Sequence, residues 1–96
     1  MDRQRIIVGS TDPVDELTRR VATELRDAGF EVVFVGPDQT PEQLIHAALA
    51  EDATEIIVAA DEAAMERLHT LRAELDLDGV RITPARERLR GPRSPR

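Results

Sequence analysis

Four short apolar runs set the frame of this chain: "RIIVG" (5–9), "FEVVFVG" (30–36), "EIIVAA" (55–60) and "VRIT" (80–83). Each is rich in β-branched residues and lacks the apolar–polar alternation of a half-wet strand. Such runs read as strands covered on both faces, which is the signature of a parallel sheet. Between them apolar residues recur at helical spacing. In the first gap these are Val14, Leu17, Val21, Leu25 and Ala28, with Arg19, Arg20, Glu24 and Asp27 on the opposite side. Asp12 is placed to cap this helix, Pro13 suits its first turn, and Gly29 ends it. In the second gap Thr40, Pro41 and Gln43 form a capping box ahead of Leu44, Ile45, Ala48 and Leu49. In the third, Asp61 caps a helix whose inner face holds Met65, Leu68, Leu71 or Arg72, and Leu75.

The order is therefore βαβαβαβ with short connections. Right-handed crossovers leave few ways to arrange it. The expected fold class is α/β: a flavodoxin-like (Rossmann-like) three-layer sandwich. Its four-stranded parallel sheet has order 2-1-3-4 and is truncated before a fifth βα unit. Ninety-six residues make one such domain. We divide the chain into a domain over 1–83 and a basic tail over 84–96. In the tail, "PARERLR" forms a short helix stopped by Gly91, and "GPRSPR" is disordered. With one helix instead of two on one face, the strand-one and strand-three surface is expected to be partly wet, unless "PARERLR" folds back with Leu89 as its large apolar contact. A wet apolar face calls for a partner, so a homo-oligomer or a larger protein subunit is expected.

Ligands of such sheets sit at the carboxyl ends of strands one and three, where the winding reverses. Here those ends are Gly9-Ser10-Thr11-Asp12 and Ala59-Ala60-Asp61. Composition narrows what they can do. All 13 basic residues are arginine, so lysine-based phosphate grips and Schiff-base chemistry are excluded. Phe30 and Phe34 are the only aromatic residues, too few for a stacking platform. There is no cysteine, which fits a reducing compartment, and "MDRQRIIVGS" has too short an apolar stretch for a signal or a span. The expected location is cytoplasmic. Residues 1–80 carry 7 arginines against 18 acids, and residues 81–96 carry 6 against one. The acidic body excludes nucleic acid and anionic membrane as partners.

The stretch "DAGFEVVFVGPDQTPEQLIHAALAEDATEIIVAA" resembles the cobalamin-binding domain of methylmalonyl-CoA mutase and related acyl-CoA mutases. The likeness lies in "GF-V", then "G---QTPE", a small-residue helix and an apolar strand, and it extends over about residues 5–75. The family's cobalt-ligating motif, Asp-x-His-x-x-Gly, falls on Asp12 to Leu17. The Asp is kept as Asp12, but Val14 stands at the His position and Leu17 at the Gly position. The family's Ser-x-Leu falls near Ala60-Asp61-Glu62, without the hydroxyl. Its Gly-Gly loop after strand four has no counterpart.

The resemblance implies a degenerate cofactor site made of Ser10, Thr11, Asp12, Val14, Leu17, Ala60 and Asp61, with no catalytic and no metal residue. The functional expectation is a non-catalytic module that lost the cobalt-ligating His and acts through protein contact, with no cofactor. The alternative is a cobalamin-binding small subunit of an acyl-CoA mutase. Each site residue also has a plainer reading. Asp12 and Asp61 serve as helix caps worth about 1 kcal/mol each. Asp15/Glu16 and Asp61/Glu62 are acids in first turns, where the helix dipole favours them. His46 and His69 have no metal-ligand spacing and read as surface residues.

Overall fold

The computed structural model describes residues 4–90. It holds β1 (Arg5–Ser10), α1 (Leu17–Asp27), β2 (Glu31–Gly36), α2 (Pro41–Glu51), β3 (Glu55–Ala59), α3 (Glu62–Glu74), β4 (Arg81–Pro84) and α4 (Ala85–Arg90). The sheet is all parallel, in the order β2-β1-β3-β4. Class and strand order are those the apolar runs predict. The ladder is regular except between Val8 and Gly9, where β1 slips against β2.

Successive residues of a strand face opposite sides, and the core divides accordingly. Ile7, Ile56, Val58 and Ile82 point to α2 and α3, where they meet Leu44, Ile45, Ala48, Leu68 and Leu71. Ile6, Val8 and Ile57 point the other way, to Val21, Ala22 and Leu25 of α1 and to Ala85 of α4. Both sides are dry, which is why the strands tolerate no polar alternation. Each fully buried Ile or Val contributes about 1.5–3 kcal/mol.

The wet face expected over β1 and β3 does not exist. Val8 and Ile57 are 0 % exposed, and Ala85 is 1 % exposed. The six-residue α4 turns back from β4 and contacts α1 and β3. Its small Ala85 lets the helix lie close to the sheet. The side chains of Leu89 and Arg90 lie outside the described residues, as does the expected disorder of 91–96.

The helix starts differ in an instructive way. α2 carries the expected capping box: Gln43 N donates to Thr40 Oγ1 at 3.0 Å, and Thr40 N to Gln43 Oε1 at 2.8 Å. α3 is capped as expected by Asp61, which accepts from Ala64 N at 2.8 Å. α1 does not begin at Asp12 and Pro13. It begins at Leu17, because the Asp15 carboxylate accepts from the Thr18 amide at 3.3 Å and from the Thr18 hydroxyl. Thr18 is wholly buried, so that acceptor pair anchors the first turn from inside. Leu49 and Leu75, expected on inner helix faces, are exposed.

Candidate functional site

The carboxyl edge of the sheet carries a cleft of about 260 Å³. It is lined by Asp12, Leu17, Val58, Ala59, Ala60, Asp61, Pro84, Ala85 and Arg86. Four of the seven residues expected from the sequence therefore come together: Asp12, Leu17, Ala60 and Asp61. Val14 does not join them. It stands at the tip of the loop, 82 % exposed, because the helix that was to turn it inward starts three residues later. Ser10 lies beneath the cleft, fully buried, and Thr11 is half-buried beside it. Pro84, Ala85 and Arg86 were missed because that segment read as a tail; their signal was the Thr83-Pro84 pair ahead of a helix. The lining includes two acids, Asp12 and Asp61, and one arginine, Arg86.

The backbone groups where the β1–α1 loop meets β3 and the β2–α2 loop are already engaged. The Ser10 hydroxyl donates to the Ala59 carbonyl at 3.2 Å and accepts from Asp12 N at 2.9 Å. Thr11 N donates to the same Ala59 carbonyl at 3.0 Å. These bonds close the gap between β1 and β3. On the other side, Gln39 N donates to the Ser10 carbonyl at 2.9 Å, and Asp38 N to the Asp12 carbonyl at 2.8 Å. Asp38 reaches this position through a left-handed backbone, φ 64°. Short polar residues such as Asp adopt that conformation more readily than most. The β1–α1 loop is thus stitched to β3 on one side and to the β2–α2 loop on the other.

Gly9 completes the picture. A glycine at this point of an α/β fold often lets a phosphate approach. Here a Cβ would lie 2.5 Å from Val35 Cγ2, 3.0 Å from Leu44 Cδ2 and 3.2 Å from the Gly36 carbonyl. Gly9 admits its neighbours on β2 and α2, and the slip in the ladder after Val8 falls at this close approach.

A larger groove, about 690 Å³, opens at the opposite edge between Arg5, Glu31, Glu51, Asp52, Asp76 and Val80. Arg5 there is held by Glu31 at 3.1 Å and by the Glu51 carbonyl at 3.1 Å. This edge holds the amino ends of the strands, away from the switch point that such folds use. Near it, the buried Glu55 accepts from Thr83 Oγ1 at 2.6 Å and pairs with Arg81 at 3.6 Å. His46 and His69 are both exposed. Among the described residues no group of three or more His, Cys, Asp or Glu side chains is placed to hold a metal, and no helix is long and apolar enough to cross a membrane.

Fold and site together define a small doubly wound α/β domain with a stitched switch point. The chain belongs to the LytR cell envelope-related transcriptional attenuator family, whose model matches residues 5–88. The comparison with curated proteins gives no match.

This membership overturns the resemblance to the cobalamin-binding domain, and with it both cobalamin-based functions and the acyl-CoA mutase association. The structure shows why the likeness misleads. The residues that carry it are fold signals. Gly29 ends α1 at φ 99°, Thr40 and Gln43 start α2, and "EIIVA" is the doubly covered β3. Any parallel α/β domain with these turns needs such residues, with or without a corrinoid.

Proposed function

We propose that the chain is a domain of cell-envelope-related control that acts by contact with a protein partner, without a cofactor and without chemistry of its own. The observation that carries this reading is the stitched switch point. Ser10 and Thr11 donate to the Ala59 carbonyl, and Asp12, Asp38 and Gln39 donate within the two loops to Ser10 and Asp12, so the usual ligand position of the fold serves as a joint. The family description supplies the cellular setting. The lining of the small cleft holds two acids, Asp12 and Asp61, against one arginine, Arg86, a balance that opposes anions such as nucleotides.

Two measurements test the reading. In an amide-detected NMR titration with nucleotides and inorganic phosphate, the signals of Ser10–Asp12 and Ala60–Asp61 should stay in place. A saturable shift there at micromolar ligand contradicts it. In the native host, loss of the chain should sensitise cells to envelope-damaging agents, and the full chain should restore resistance. Unchanged sensitivity on loss contradicts the envelope role. Fractionation of the same cells reads the compartment, against the cytoplasmic expectation from sequence.

A further inference from the structure

The two edges of the sheet are not alike. β4 carries the devices that keep an edge from pairing: Arg81 projects with its side chain 68 % exposed, and Pro84 has no N–H to offer. The edge strand β2 carries neither. Between Glu31 and Gly36 it reads Val-Val-Phe-Val, and all four residues are only half-buried. Among the described residues its one strand neighbour is β1. An apolar edge without a charge or proline at its centre is the standard acceptor for an added strand.

The flank of this edge is charged in a definite sense. Arg19 of α1 lies over the Phe34 ring, 5.3 Å from its centroid, which places that side of the helix above β2. Arg26 follows seven residues later, two turns along the same side and about 10 Å away. Neither arginine has an acid partner among the described residues. The body of the domain is otherwise strongly acidic, so this pair is a local exception. A second copy fits it poorly. Antiparallel β2–β2 pairing would bring the two α1 helices side by side, with Arg19 of one copy toward Arg26 of the other.

We propose that the β2 edge receives an extended segment of a protein partner, with acidic side chains on the face toward α1 and apolar ones on the face toward α2. On one strand face residues recur about every 6.6 Å, so acids two or four positions apart match the two arginines. The apolar side chains would continue the rows begun by Val33 and Val35, which pack on the α2 side of the core. This surface rests on the protein-contact reading and specifies where that contact is made.

The test uses the full chain and two eight-residue peptides, one alternating valine with glutamate and one alternating valine with lysine. Amide shifts on adding the glutamate peptide should centre on Val32–Val35 and weaken with added salt. The double variant Arg19→Glu/Arg26→Glu changes two exposed positions and should keep the fold, as checked by its amide spectrum. It should lose at least about tenfold in affinity for the glutamate peptide, a difference of about 1.4 kcal/mol, and gain for the lysine peptide. Equal binding of both peptides, shifts elsewhere, no binding at millimolar peptide, or concentration-dependent dimerisation through β2 would each overturn the proposal. The same variant separates the two readings in the host. If it restores envelope resistance as well as the wild-type chain, this edge is not the surface, while the protein-contact reading stands.

Discussion

Single residues at the head of the sheet show how local chemistry displaced an expected ligand site. The sequence places Asp12 as the cap of α1. In the structure α1 starts after Glu16, which makes no side-chain cap bond, and Asp15 just before it accepts from the amide and hydroxyl of the buried Thr18. Asp15→Ala should therefore lower stability by about 1 kcal/mol, whereas Asp12→Ala should stay within about 0.5 kcal/mol. Urea unfolding of the two variants decides between them. Gly9→Ala should cost about 1–3 kcal/mol by the same measurement, since its methyl group must displace Val35 and Leu44. Glu42 supplies a pH-dependent element. A hydrogen bond from its own backbone, then one from Arg67 at 3.0 Å, holds its carboxyl below the usual 4.5. Its pKa is lowered on folding, so its small contribution is present above 4.5 and fades as pH falls through the lowered midpoint. In an NMR pH titration Arg67→Gln should move that midpoint up only part of the way, because the backbone bond remains.

Helices and strands were legible where a signal was local. Thr40-Pro41-Gln43 and Asp61 gave the starts of α2 and α3, and Gly29 gave the end of α1. The start of α1 was not legible, because the deciding contact depends on the burial of Thr18, which no local pattern records. The β3–β4 pair holds a similar case: the buried Glu55 pairs with its register partner Arg81 and accepts from the hydroxyl of Thr83, two residues farther along β4. α4 folds back as the sequence allowed, but the sequence points to Leu89 as its contact; Ala85 packs with Ile57 and Val8, because a small side chain allows close approach. Ala85→Glu should cost about 2–5 kcal/mol, since it drives an unpaired carboxylate into that contact. Thermal unfolding that leaves the midpoint unchanged would show that α4 does not cover the sheet.

At the scale of the whole molecule, the doubly wound sheet was readable because four covered strands leave a pattern that few other folds share. The site was half readable. The topological rule found the right edge of the sheet and four of its lining residues. It could not show that Thr11 bonds to Ala59, Asp38 to Asp12 and Gln39 to Ser10, since those pairings join segments far apart in sequence. The likeness to a cofactor-binding family arose in the same way, from caps and covered strands that recur wherever this architecture does. The proposed function rests on how the loops over β1 and β3 are tied. Native-state hydrogen exchange of the Thr11, Asp38 and Gln39 amides measures that tie directly. The account predicts protection within about tenfold of the core amides of Val8 and Ile57, as joints opened only by large unfolding events. Exchange at the rate of an open loop would mean that the switch point is free to take a ligand, and would contradict the account.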